Sequence, residues 1–149
     1  SNKVEKILHT ELVLGRWVVK EHDVETNTSI EVAKGYRSFR QTQQGFVAAN
    51  EKGELFLLDA QFQQLEPLDV TVAFDLGQSW DYANNTVVWT KTDTQHTELF
   101  KKNLITGEIT EFKNAYTQMS PQVSLSSDGQ SVLFLSSNIN HSDIVSLSH

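Results

Sequence analysis

The same short-strand pattern is written three times along this chain. Ser38-Phe39, Gly45-Phe46-Val47-Ala48 and Glu54-Leu55-Phe56-Leu57-Leu58 form the first copy. Ser79-Trp80, Thr86-Val87-Val88-Trp89 and Glu98-Leu99-Phe100 form the second, and Ser124-Leu125, Ser131-Val132-Leu133-Phe134 and Asp143-Ile144-Val145 the third. Val47, Val88 and Leu133 stand 41 and 45 residues apart (88 − 47 and 133 − 88). A period in the forties made of short strands is that of β-propeller blades, each a small sheet that needs a neighbour to bury its faces. Propellers serve mainly as recognition platforms, so the period points to binding before it points to chemistry.

Alternating apolar residues, rich in β-branched and aromatic types, divide each repeat into strands, and no long stretch carries helical spacing. The second unit reads as an inner strand over 36–41, then strands over 45–50, 54–60 and 63–68, with a turn at Lys52-Gly53. The third reads as 78–82, 86–92, 97–103 and 108–113, with turns at Asn84-Asn85 and Thr106-Gly107. The fourth has 122–126, a turn at Ser127-Asp128-Gly129, 131–137 and 143–147, and lacks its outermost strand. At the other end, residues 15–35 echo 99–109 and supply two strands of a first unit, with at most one more from 6–14. Pairing of residues 3–10 with the fourth unit, as a closing strand, is a further option. Pro67 and Pro121 are expected in connections, since proline is excluded from central strands.

The expected fold is therefore all-β, a partial propeller-like array of about three and a half four-stranded antiparallel blades. A β-sandwich is the alternative for the same strand count. The 149 residues form one domain with units at 3–35 (partial), 36–70, 78–114 and 122–149 (partial). That is too little chain for the four full blades of a closed ring. Ser1-Asn2 resembles a cleavage scar, and the chain reads as a segment of a longer protein. Incomplete end units would leave sheet edges open, and open edges recruit another strand, so a homodimer through them is a possible assembly.

Composition narrows the function. Acidic residues outnumber basic ones 19 to 12, the net charge is −7, and no basic stripe stands out, which argues against nucleic-acid binding by this segment. No apolar run is long enough to span a bilayer, so any membrane attachment is expected of parts outside this segment. The absence of cysteine removes disulfides, thiolate metal sites and cysteine nucleophiles, and fits the periplasm and the cytoplasm equally.

Residues 103–148 resemble the propeller repeats of the TolB family. The residues that carry this are Thr106-Gly107, Ile109 and Phe112, Pro121, Ser126-Ser127-Asp128-Gly129, Leu133-Phe134-Leu135-Ser136 and Asp143-Ile144-Val145. Ser127 stands where the family usually has proline, and Val145 where it usually has an aromatic residue. Such repeats build the protein-binding propeller of TolB-like proteins, sensory domains of ToxR-like membrane-bound regulators, and the non-catalytic cap of prolyl-oligopeptidase-type serine peptidases. The resemblance thus implies recognition or sensing in a bacterial extracytoplasmic setting.

Candidate chemistry is sparse. Gly77-Gln78-Ser79-Trp80-Asp81 lacks the last glycine of a nucleophile elbow and precedes a strand, so Ser79 reads as structural. His9, His22, His96, His141 and His149 have no metal-ligand spacing, and His96 and His141 fall at equivalent hairpin positions, where solvated turn chemistry suffices. Asp128-Gly129 reads as a hairpin turn rather than a calcium loop. Glu21, Asp23 and Glu25 would share one face of a strand, as a solvated edge. The aromatic residues of the inner strands carry more. Tyr36, Arg37 and Arg40 (beside Phe39) and Trp80 and Tyr82 offer flat rings and fixed charges along a propeller's central surface, against the alternative of packing between blades. Trp17, Trp89 and Phe134 are expected in the core. The expected function is non-enzymatic recognition of a protein or small ligand through these five residues, with no catalytic residue, metal or cofactor. A peptidase cap and a module that dimerises through open edges are the alternatives.

Overall fold

A computed structural model describes residues 5–73, 77–92, 97–112, 119–137 and 142–148. These fold into fourteen strands in four antiparallel sheets, and among the described residues there is no helix. The chain divides into two compact units, Ser1–Phe74 and Asp75–His149.

In the first unit, β1 (Lys6–Val13), β2 (Arg16–Asp23) and β3 (Thr28–Lys34) form a three-stranded sheet in chain order. β4 (Tyr36–Gln41), β5 (Gly45–Asn50), β6 (Glu54–Asp59) and β7 (Gln64–Thr71) form a four-stranded one. Gly35, at φ +90°, is the whole link from β3 to β4, and its N–H donates to the Trp17 carbonyl at 2.7 Å. Positive φ is what lets the chain leave one sheet and enter the next within a single residue. β1 pairs with β2 over its full length, Lys6 opposite Asp23 and Val13 opposite Arg16. This corrects the closing-strand option: a two-residue hairpin is a far shorter loop to close than pairing across the chain.

In the second unit, β8 (Trp80–Ala83), β9 (Thr86–Thr92), β10 (Thr97–Asn103) and β11 (Ile109–Phe112) make a four-stranded sheet. β12 (Met119–Leu125), β13 (Ser131–Ser137) and β14 (Ser142–Ser148) make the last, three-stranded one. The sheets thus hold three, four, four and three strands, short at either end of the chain as the repeat requires.

The repeat extends to the turns. The Asp23 carboxylate accepts the N–H groups of Glu25 and Thr26 at 2.9 and 3.3 Å. The Asn103 side-chain oxygen accepts those of Ile105 and Thr106 at 2.9 and 3.2 Å. Asn27 and Gly107, four residues beyond each, both take positive φ. Asx side chains that bond their own turn backbone, followed by a residue tolerant of the left-handed region, account for both loops.

Each unit carries its own core. Val19, Phe46, Ala48, Leu58 and Phe62 are buried together in the first, and Leu8, Val32, Ala33, Tyr36, Phe39 and Phe56 pack against them. Val88, Leu99, Val123, Val132 and Phe134 are buried together in the second, with Phe112 and Leu125 against them. The middle strands β5 and β9 are buried over five consecutive residues, as strands covered on both faces must be. Burying a side chain of this size stabilises by about 1.5–3 kcal/mol.

Both prolines lie inside strands rather than in connections. Pro67 is in β7, the end strand of its sheet, where the pairing with β6 is irregular. Pro121 is in β12, also an end strand, between the register break that separates Met119 from Val123. End strands and bulges leave an N–H unneeded by the ladder, which is why proline fits there.

Candidate interaction surfaces

On β4, regular alternation would put Tyr36 and Phe39 on opposite faces. The register shifts between Tyr36 and Ser38, and the extra residue reverses the alternation. Tyr36 and Phe39 therefore both pack against the first core. Half-burial of Tyr36 raises the pKa of its phenol, which keeps its proton and remains a hydrogen-bond donor throughout the neutral range. Arg37, the displaced residue, lays its guanidinium over the Trp17 ring at 4.1 Å from the centroid. Arg40 turns back on its own strand, with Nη1 donating to the Phe39 carbonyl at 2.9 Å.

Trp17 is half-buried and belongs to neither core cluster, which corrects its assignment as a core residue. It sits opposite Leu12, two residues along β2 from fully buried Val19, so the apolar face of the sheet continues outward through it. Its backbone is held from both sides. The Trp17 N–H donates to Glu51 Oε2 at 3.3 Å, and its carbonyl accepts from Gly35. Arg16 Nε donates to the other oxygen of Glu51 at 2.8 Å. Sequence spacing gives no sign of Glu51, because it lies 34 residues from Trp17 and acts from a turn.

On β8, Trp80 is 0 % exposed. It packs opposite Trp89, and a ring so enclosed serves the fold rather than presenting a face to a ligand. Tyr82 is half-buried, and its hydroxyl oxygen accepts the Asn85 N–H at 3.3 Å, bracing the β8–β9 hairpin. Between them, Asp81 accepts the N–H of Tyr82 at 2.9 Å and that of Leu125 at 2.7 Å, tying β8 to β12. Asp81 was not singled out by sequence; its role depends on a backbone amide 44 residues away. Thr90 adds a second tie, its Oγ1 donating to the Pro121 carbonyl at 2.7 Å. Trp89 and Phe134 are buried as expected, and Trp89 stacks on Phe100 at 5.5 Å. The Trp89 Nε1–H has no acceptor among the described residues.

The five expected site residues thus fall into two groups: Tyr36, Arg37 and Arg40 in the first unit, and Trp80 and Tyr82 in the second. Of the first group, Arg37 joins Trp17 in a stack that the sequence did not pair.

The other candidates resolve locally. Ser79 is buried in a turn, and its carbonyl accepts the Thr90 N–H at 2.9 Å. The Asp128 carboxylate accepts from the Ser126 hydroxyl at 2.6 Å and from the Gln130 N–H at 2.9 Å, and those two donors lower its pKa. The acidic run does not share one face: Glu21 pairs with Lys6 at 3.3 Å, Asp23 caps a turn, and Glu25 lies within that turn. His22 Nδ1 is bonded to the Ser29 hydroxyl at 2.8 Å. His96, His141 and His149 lie outside the described residues. Among the described residues no three His, Asp or Glu side chains come together as metal ligands.

No protein-family model matches the chain, and no curated protein matches it. Solved structures do. TolB from Acinetobacter baumannii is similar over 96 % of this chain at 12 % identity, with a TM-score of 0.67. The Atg21 chain in a complex with the coiled-coil of Atg16 is similar over 95 % at 10 % identity, with a TM-score of 0.63. The chain spans 38 % of the first of these and 48 % of the second. At such identities the likeness concerns the backbone alone, and it shows that the four small sheets make a propeller-like fold.

Proposed function

We propose that this chain is a protein-interaction module that works by surface recognition, without making or breaking bonds. We place it in the sensory or regulatory part of a bacterial extracytoplasmic or membrane-bound protein. The observation that carries the reading is the Arg37–Trp17 stack. A guanidinium held 4.1 Å over a half-buried indole offers charge, donors and a flat ring at one place. Tryptophan and arginine are enriched among the residues that dominate the energetics of protein interfaces, and a guanidinium already stacked on a ring has less rotamer freedom left to lose on binding. No ion pair involving Arg37 is present among the described residues, so the charge is available to a partner. The similar Atg21 chain was solved with a coiled-coil partner, which agrees with a protein as ligand.

The test is photo-crosslinking in the bacterial envelope from a full-length protein that carries a reactive residue at position 41, beside the Arg40 end of β4. A defined protein partner should be captured by the parent and lost on Arg37→Ala. Capture unaffected by Arg37→Ala would remove the stack from the binding surface. Hydrolysis of a fluorogenic prolyl peptide by the full-length protein would assign the chain to a peptidase cap instead.

A further inference from the structure

Among the described residues, six other than glycine take positive φ: Leu14, Asn27, Phe62, Asp69, Asn84 and Asn85. Asn and Asp tolerate that region, which leaves two misfits. Phe62 is offset by packing, being 8 % exposed and stacked on Phe46 at 4.3 Å. Leu14 has no such compensation. It is 99 % exposed, at φ +50°, in the two-residue turn that joins Val13 to its ladder partner Arg16. With Gly15 at +79° this is a type I′ hairpin turn, the setting where Asn-Gly is favoured. The β8–β9 hairpin of this same chain solves the same problem with Asn84-Asn85.

Leucine at the tip is costly to the fold, and its neighbours are apolar too. Leu12 is 58 % and Val13 36 % exposed, giving three consecutive apolar residues in solvent. Such a run on a soluble surface marks an interaction site. Leu12 lies opposite Trp17, and Trp17 carries the Arg37 guanidinium. Nearby Arg16 is already committed to Glu51. The tip therefore combines an apolar knob, an aromatic ring with a fixed backbone, and a guanidinium not ion-paired among the described residues. With a net charge of −7 on the chain, an anionic membrane is a poor counterpart.

We propose that the β1–β2 hairpin tip (Leu12, Leu14 and Trp17, with Arg37) docks a segment of another protein that presents an apolar cluster flanked by a carboxylate. Leu14 enters the apolar cluster and Arg37 receives the carboxylate. This rests on the reading of the chain as a protein-binding module and names the chemistry of the segment bound at the Arg37–Trp17 stack.

The test is selection of a random twelve-residue peptide library on the purified chain, followed by titration of the enriched peptides. Peptides pairing Leu, Ile or Phe with Asp or Glu are expected. Their affinity should fall at least tenfold on Leu14→Asn and on Arg37→Glu, while Leu14→Asn raises thermal stability. Loss of binding in a more stable protein is a result that mere misfolding does not produce. Enriched peptides that bind the two variants and the parent equally overturn the hairpin as docking element and leave the module reading standing. Failure to enrich any peptide overturns both. A concentration-dependent dimer that Leu14→Asn dissolves assigns the tip to a second copy, and also overturns the proposal.

Discussion

Leu14→Asn should make this protein more stable. The left-handed region costs an ordinary L-residue about 1–2 kcal/mol, because Cβ crowds the following carbonyl. Asparagine escapes most of that cost through local hydrogen bonding. Leu14 is almost fully exposed, so the exchange forfeits no buried area, and the net gain is about 1 kcal/mol. For a chain of this length that is a rise in Tm of about 4 °C. Urea unfolding should show the midpoint moving up at constant m-value, since the surface exposed on unfolding does not change. Phe62→Asn is the control. It relieves the same backbone strain at φ +62°, yet it removes a ring packed between Phe39 and Phe46, and should cost about 3 kcal/mol or more. A Leu14→Asn protein that melts at or below the parent temperature would refute the reasoning: either the turn is not type I′ or Leu14 has packing of its own.

Three further outcomes follow from the two units. Gly53→Ala should destabilise by at least about 2 kcal/mol, read by chemical denaturation, because φ is +82° and an added Cβ would overlap the Val72 carbonyl oxygen. Thr90→Val should cost about 1–3 kcal/mol by the same assay, since it keeps the shape but leaves the Pro121 carbonyl without the hydroxyl that satisfies it. The Ser126 hydroxyl and the Gln130 N–H hold the Asp128 carboxyl below its ordinary value, so this turn contributes stability above the usual carboxylate range and loses it as pH falls through the lowered pKa. An NMR titration following the Asp128 carboxyl in the parent and in Ser126→Ala should show the midpoint shifting upward in the variant.

Strand positions were legible in the sequence wherever alternation and turn chemistry agreed. β4, β5, β9, β10 and β13 occupy the spans expected from alternation, and Asn84-Asn85, Thr106-Gly107 and Asp128-Gly129 form turns as their residues require. Those features are local: period-two burial and the left-handed tolerance of Asn and Gly act within a few residues. The strand period also carried the fold class, because equal units of this length have few ways to bury their faces.

Tertiary structure decided what depends on distant partners. A one-residue bulge in β4 reversed its alternation, which sent Tyr36 inward and Arg37 onto Trp17. Asp81, Glu51 and Thr90 acquired their roles from backbone groups 44, 34 and 31 residues away. Trp80, which the sequence left between a ligand-facing ring and packing between blades, is wholly enclosed, while Trp17, read as core, stayed half open. Composition fixes which residues can be buried, but the burial of a given ring depends on which sheet lies over it, and that information is spread across the whole chain.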